Sequence, residues 1–259
     1  MPASDLPLLI EAAEEAGRIA TRYIGAPIEI RDKPDGAGPV TEADLAVDAA
    51  LAQILRAARP DYGWLSEETE DTVDRLGAER VFIVDPIDGT RAFIDGDDIW
   101  AHSLAVAERG VITAAVIYLP MCDKIYTAAA GQGATLNGVP IRTGARRALP
   151  GATLLAAKPA LDPEHWREGR VPTLRRGFRP SLAYRLALVA EGRFDAMLTL
   201  RPTWEWDAAA GDLILREAGA ATSDRRGGGL VFNNPVPQVA GIAAANRALH
   251  TGLIAALAR

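Results

Sequence analysis

Four carboxylates are spaced so that they could share one reaction centre. Asp85 and Asp88 stand three positions apart in the stretch Val81-Phe82-Ile83-Val84-Asp85-Pro86-Ile87-Asp88-Gly89-Thr90, Glu67 lies upstream after Ser66, and Asp207 lies downstream after Trp206. The apolar run before Asp85 reads as a buried strand, which leaves the two acids at its carboxyl end on an irregular turn closed by Gly89. A surface turn would also explain that stretch, because Asp-Gly after a strand is a common turn signal. The two further acidic elements, each placed at an element end, favour a site. If all four acids converge, each like-charge pair at about 4 Å costs roughly 4 kcal/mol at an effective dielectric of 20. Several pairs would approach the whole stability of a domain, roughly 5–15 kcal/mol. Protonation or cations must relieve that repulsion. An all-oxygen set favours hard ions, and Mg2+ suits it when water and substrate oxygens complete the octahedron. Two such ions roughly 3.5–4 Å apart can activate water and stabilise a leaving oxygen, which suits phosphate ester hydrolysis. Asp207 would begin a helix whose first amides, like those after Gly89, could receive phosphate oxygens.

Composition bounds the classes that remain. The chain has 259 residues and is 49% hydrophobic, enough to bury a large core as one big domain or as two closely packed halves. A formal net charge of −6 and a pI near 5.2 give no global reason to expect a nucleic acid polymer or an anionic membrane as partner. Small basic clusters, Arg142 with Arg146 and Arg147, and Arg175-Arg176 with Arg179, read as solvated faces. The single cysteine, Cys122, rules out an intramolecular disulfide and fits a reducing compartment. That cysteine and three histidines are too few for the usual zinc site. Glu11, Glu14 and Glu15 interrupt the N-terminal segment, so no signal peptide is expected. No apolar run approaches the roughly 20 residues of a spanning helix, and a cytoplasmic protein is the expectation.

The elements that must position the acids follow from periodicity. A helix is predicted from about Ser4, its N-cap, to Ile24, ended by Gly25 and Pro27. A short strand, Ile28 to Arg31, precedes a Gly- and Pro-rich loop from Lys33 to Pro39. Thr41-Glu42-Ala43-Asp44 then opens a helix through Ala58, with Leu45, Val47, Leu51, Ile54 and Leu55 on its apolar side. Asp44 stands where a capping box puts its acid, so capping competes with catalysis as its role. Strands follow at Gly63 to Ser66, up to Asp85, at His102 to Glu108, Val111 to Leu119 and Ile125 to Ala129, with hairpins at Arg109-Gly110 and Asn137-Gly138. Thr143 to Gly151 reads as a seam between halves. Beyond it come a strand at Thr153 to Ala157, a helix capped by Ser181, and a strand at Phe194 to Leu200. A helix from about Asp207 to Ala218, a strand near Val239 to Ala244 and a helix from Arg247 to Ala258 complete the chain. The expectation is one domain, 1–259, with an α+β half, 1–145, and an α/β half, 146–259.

Asp44 within Val-Thr-Glu-Ala-Asp, the Glu67-Glu68 pair, Asp85-Pro-Ile-Asp-Gly-Thr90 and Trp206-Asp-Ala-Ala-Ala-Gly211 together resemble the inositol monophosphatase family of lithium-sensitive, Mg2+-dependent phosphatases. The resemblance spans almost the whole chain, in order. It implies a layered α/β/α/β/α sandwich and two or three Mg2+ ions. It also implies roles for matching positions. Glu67, Asp85 and the Ile87 carbonyl would hold a first ion, and Asp85, Asp88 and Asp207 a second. Thr90 and Asp44 would orient and deprotonate the attacking water, the Gly89 and Thr90 amides would hold phosphate, and Lys33 would lie near the site. A small phosphorylated metabolite is the implied partner, and a homodimer is compatible with the resemblance.

Substrate choice rests on finer features. Family members that act on inositol phosphates commonly place an acid seven residues before the tryptophan-linked Asp, and Leu200 occupies that position here. The segments from Ser181 to Gly192 and from Pro202 to Asp207 are instead similar to 3'(2'),5'-bisphosphate nucleotidases of the CysQ type, which act on 3'-phosphoadenosine 5'-phosphate. Lys33 and Ser181 would contact the substrate, Arg201 could meet a second phosphate and Trp204 could stack on a base, with ordinary packing the competing reading for Trp204. Phosphatases for inositol phosphate, histidinol phosphate or another small alcohol phosphate remain the alternative within the class. An inactive metal-binding regulator is the alternative outside it.

Overall fold

The computed structural model describes residues 5–33 and 38–258. The first half places α1 (Leu6–Ala20), β1 (Ile30–Asp32), β2 (Pro39–Thr41) and α2 (Glu42–Ala58) ahead of β3 (Gly63–Ser66) and β4 (Arg80–Asp88). A short α3 (Thr90–Ile94) follows, then β5 (Ala101–Glu108), β6 (Val111–Leu119), β7 (Lys124–Ala129), β8 (Ala134–Leu136) and β9 (Val139–Pro140). The second half runs β10 (Thr153–Ala156), β11 (Arg175–Gly177), α4 (Leu182–Ala190), β12 (Ala196–Thr199), β13 (Thr203–Trp204) and α5 (Glu205–Glu217). It ends with β14 (Ala220–Ser223), β15 (Gln238–Val239), β16 (Ile242–Asn246) and α6 (Arg247–Ala256). Strands β3 to β9 form a seven-stranded sheet in sequence order, and a five-stranded sheet runs β11-β10-β12-β16-β14.

The layers follow from which face each strand residue buries. Phe82 and Val84 pack with Leu9, Val47 and Leu51 of α1 and α2, while their neighbours Val81 and Ile83 pack with Leu186 and Leu213 of α4 and α5. A strand covered on both faces has no polar side, which is why 81–84 is an unbroken apolar run. On the far side of α4 and α5, Met197 and Ala244 of the five-stranded sheet face that same cluster. Leu198 and Ala243, one step along, face Leu249 and Leu253 of α6. The result is the expected α/β/α/β/α sandwich. The helices α4 and α5 pack so closely that a Cβ on Gly211 would lie 2.4 Å from Leu186.

Several expectations shift. Ser4 lies outside the described residues, and α1 has Asp5 as N-cap without a side-chain capping bond. On α2, Leu45 is exposed, whereas Val47, Leu51 and Leu55 carry the packing. The strand through Asp85 does not stop there: β4 continues to Asp88, with a bulge against β5 between the pairs Asp85–Ser103 and Asp88–Ala101. The α5 helix begins at Glu205, which sets Asp207 in its first turn. Strands β11, β13 and β14 carry no signal long enough to register in sequence.

A buried polar cluster ties residues 71–75 to the loop before β15. Arg75 donates to Asp71 at 2.6 and 2.8 Å, to Asn233 at 2.6 Å and to the Asn234 carbonyl at 2.9 Å. Glu205, wholly buried, accepts from the Asn233 amide at 2.6 Å and from both nitrogens of Asn234 at 2.9 and 2.7 Å.

Candidate active site

Strand register explains how acids distant in sequence meet. Strands β3 and β4 are parallel with Ser66 beside Val84, and the Glu67 amide continues the ladder to the Val84 carbonyl at 3.2 Å. Glu67 therefore stands beside Asp85 at the carboxyl ends of two parallel strands, the usual place for ligands in such sheets. Ser103, paired with Asp85 across β4 and β5, donates its hydroxyl to the Trp206 carbonyl at 2.9 Å. That bond pins the first turn of α5 over the strand ends. One carboxylate oxygen each from Glu67, Asp85 and Asp207 lies within 4.8 Å of the others.

Asp88 is held differently. The bulge turns it toward the N-terminus of α4, where its oxygens accept from the Ser181 hydroxyl at 2.6 Å, the Ala183 amide at 2.6 Å and the Leu182 amide at 3.2 Å. A helix N-terminus is favourable for an anion, and Arg185, stacked on Phe178 at 4.3 Å, adds positive charge beside it. Burial nevertheless raises the Asp88 pKa above its ordinary value. Burial, then Glu67, Asp88 and Asp207, push the Asp85 carboxyl well above the carboxylate range. Burial, then Asp88 and Glu67, do the same to Asp207. Glu67, Asp88 and Asp207 thus all bear on the Asp85 carboxyl.

Lys33 bridges Glu67 at 2.6 Å and Glu68 at 2.7 Å. Burial works to lower its pKa, but the two acids outweigh that and the net direction is upward. Burial raises Glu68 to about 7. Behind this loop Asp48 accepts from Ser66 at 2.5 Å and Thr69 at 2.7 Å, fixing the segment that carries both acids.

Asp44 serves two purposes at once. Its Oδ2 completes the capping box of α2, accepting from the Thr41 amide at 2.9 Å and the Thr41 hydroxyl at 2.5 Å. Its Oδ1 lies 3.2 Å from Thr90 Oγ1, which is also 3.2 Å from the Ile87 carbonyl oxygen. Burial raises the Asp44 pKa. Gly89, at φ 103°, caps α3 in a left-handed conformation that a side chain would strain, and so turns Thr90 back toward Asp44.

The profile of the inositol monophosphatase family matches residues 3–259. The chain belongs to that family. It is 38% identical over 234 residues to a Rhizobium meliloti protein named inositol-1-monophosphatase, covering 86% of each chain. It is 34% identical over 233 residues to the Nus factor SuhB of Salmonella typhimurium, again covering 86% of each. The crystal structure of the extragenic suppressor protein SuhB from Bartonella henselae superposes with a TM-score of 0.81 at 32% identity, covering 96% of both chains.

The inositol monophosphatase family is metal-dependent, and the donor set of this member fits a cation. Both oxygens of Asp85 are buried without a hydrogen-bond partner. An orphaned buried carboxylate between two other acids is costly unless a cation completes it.

The substrate-facing expectations fare unevenly. Ser181 is not available to a substrate: it is wholly buried, accepts from the Tyr184 amide at 3.0 Å and donates to Asp88. It is a positioning residue for Asp88. Leu200 also needs correction, because it packs on the α6 side of the sheet, away from the carboxylates. Counting back from Asp207 ignores the turn between β12 and β13, and strand alternation puts Thr199 on the site side instead. Arg201 is exposed and its charge reaches Asp207. Trp204, 39% exposed, stacks on Trp206 with ring centroids 4.8 Å apart and planes 8° from parallel. Sequence reasoning missed Ser103, Asp48 and Arg185. Only Arg185 left a signal, as a charged residue on an otherwise apolar helix.

Proposed function

We propose that the chain, as one phosphatase domain, hydrolyses the phosphomonoester of a small metabolite, and that Glu67, Asp85, the Ile87 carbonyl, Asp88 and Asp207 hold its Mg2+ ions. The observation that carries this reading is the orphaned Asp85 carboxylate between Glu67 and Asp207. Bound ions would neutralise the carboxylates and acidify a water for attack on phosphorus. The protein's own steps are positional. Thr90 Oγ1 takes a proton from the attacking water while passing its own to Asp44 Oδ1, whose raised pKa suits it to accept. The Gly89 and Thr90 amides hold phosphate oxygens, and the departing alkoxide recovers a proton from solvent.

For the substrate, a second anion and a flat ring are supported by exposed Arg201 and by the half-exposed face of Trp204 backed by Trp206. This makes 3'-phosphoadenosine 5'-phosphate the lead, with AMP and phosphate as products. Inositol 1-phosphate is the second reading, favoured by the name of the Rhizobium relative. The net charge of −6 supports a small metabolite over a nucleic acid polymer. The discriminating experiment compares kcat/KM for both compounds with Mg2+, in the parent protein and in Arg201→Ala. The expected result is a preference for the nucleotide of at least about a hundredfold, about 2.7 kcal/mol, that shrinks in the variant. Equal efficiency would remove the nucleotide reading, and no hydrolysis of any phosphomonoester would remove the phosphatase reading.

A further inference from the structure

Away from the carboxylates, on the α6 side of the five-stranded sheet, a cavity of about 740 Å3 is lined by Arg167, Arg225, Arg226, His250, Ile254 and Leu257 among others. A smaller one of about 250 Å3, lined by Glu164, His165, Leu200, Arg225, Arg226 and Ala258, adjoins it. The shared wall is Arg225, Arg226 and Ala258. Arg225 is engaged, donating to the Leu200 carbonyl at 3.2 Å. The guanidinium groups of Arg167 and Arg226 have no hydrogen-bond or ion-pair partner among the described residues. The one acid lining either cavity, Glu164, lies 3.7 Å from His165, and Asp224 nearby accepts from the Arg226 and Gly228 amides at 2.7 and 2.8 Å through one oxygen. Among the described residues, three arginines therefore stand here against the two acids Glu164 and Asp224, on a protein whose net charge is −6. The larger volume is in the range of metabolite pockets, and its arginines are exposed at a mouth open to solvent.

We infer that these joined cavities are a second binding site, for a phosphate-bearing small molecule whose anionic head lies among Arg167, Arg225 and Arg226 and whose body lies on Ile254 and Leu257. Guanidinium groups suit phosphate by their planar fork of donors. Strand β12 separates this site from the catalytic one, since Leu198 packs with the α6 cluster and Met197 with the α4 and α5 cluster. His250, whose Nε2 lies 2.8 Å from Ser223 Oγ, has its pKa lowered by burial. An anion beside it would raise that pKa again.

The chain has three histidines, and two of them line the cavities, so imidazole NMR reads the site directly. Orthophosphate and phenylphosphonate are titrated separately into the Mg2+-loaded protein. The expected result is that His165 and His250 shift, whereas His102, bonded to Pro86 between two proposed metal ligands, reports phosphate bound at the catalytic site and is read separately. Arg226→Glu should weaken the response of His165 and His250 at least about tenfold, about 1.4 kcal/mol, with an unchanged His102 response reporting an intact fold. Tighter binding of phenylphosphonate assigns the site to an organic phosphate, and equal binding assigns it to free phosphate. No shift of either imidazole at millimolar ligand overturns the site, as do shifts that survive Arg226→Glu.

Discussion

The carboxylate cluster at the strand ends and the cluster around Arg75 and Glu205 are both buried and charged, yet they treat their polar atoms in opposite ways. Each oxygen of Glu205 accepts from the 233–234 loop, and each guanidinium nitrogen of Arg75 donates. Asp85 has neither oxygen engaged, with two further acids close by. A satisfied network rigidifies what it joins, whereas an unsatisfied one stores an unfavourable term that a cation or a proton can release. Burial raises the Glu205 pKa too, so burial alone does not separate the clusters. Whether partners are supplied by the chain itself does.

The largest effect expected comes from Asp85→Asn. Turnover should fall by several orders of magnitude, since the amide supplies less charge to the ions it would hold. The metal-free protein should melt higher than the parent, because one source of repulsion is gone, and its Mg2+-induced rise in melting temperature should shrink. A variant that melts lower without metal would mean that the Asp85 charge is already compensated.

The satisfied cluster should behave in the reverse sense. Arg75→Ala leaves the Asn233 side chain and the Asn234 carbonyl without their donor and should cost about 3 kcal/mol of stability, the low end for a broken buried pair because Asp71 is partly exposed. Turnover per folded molecule should be unchanged at a temperature where the variant is folded. Loss of turnover with normal melting would show that this cluster shapes the site rather than the fold.

How far each cluster was legible in sequence differs for the same reason. The carboxylates sit at ends of strongly patterned elements, so the run 81–84, the cap at Thr41 and the helix start near Asp207 located them within a residue or two. Their partners did not announce themselves. Ser103 meets Trp206 across 103 positions, and Ser181 meets Asp88 across 93, distances over which only packing of α4 and α5 decides. The reading of Leu200 failed because a count along the chain crosses a turn, after which side-chain parity no longer holds. The bulge at Asp85–Asp88 was read as a turn because Pro86 and Gly89 signal both. Glu205 and Arg75 carried no motif at all: their role follows from loops that converge only in the folded chain.

Asp44 belongs to both kinds of cluster, one oxygen capping α2 and the other facing Thr90. In Asp44→Asn one carbonyl oxygen remains, and it is expected at the cap, where Thr41 offers donors. The amide then faces Thr90 and cannot accept from it. Stability should drop by no more than about 1 kcal/mol, while turnover should fall roughly 10²-fold or more, about 2.7 kcal/mol. Measuring melting and turnover together separates the roles: a destabilised variant with ordinary turnover would leave capping as the only one.

The smallest effect concerns His102, which tests burial without a charged neighbour. Its Nδ1 donates to the Pro86 carbonyl, and its Nε2 is buried without a partner. Burial lowers its pKa from 6.5 to about 4. Between those values the unfolded chain binds a proton that the folded chain refuses. The stabilisation is therefore whole above about pH 6.5 and is lost as the pH falls toward 4, by at most roughly 3 kcal/mol. The carboxylates of the metal-free site act in the opposite sense, since their raised pKa values make the fold gain protons on acidification. The comparison that isolates His102 is thus the parent against His102→Gln, both loaded with Mg2+, from pH 7 to pH 4.5. The parent should lose stability more steeply than the variant. Parallel curves would show that His102 is protonated in the fold, and with it that an unpartnered buried nitrogen here costs less than an unpartnered buried carboxylate a few residues away.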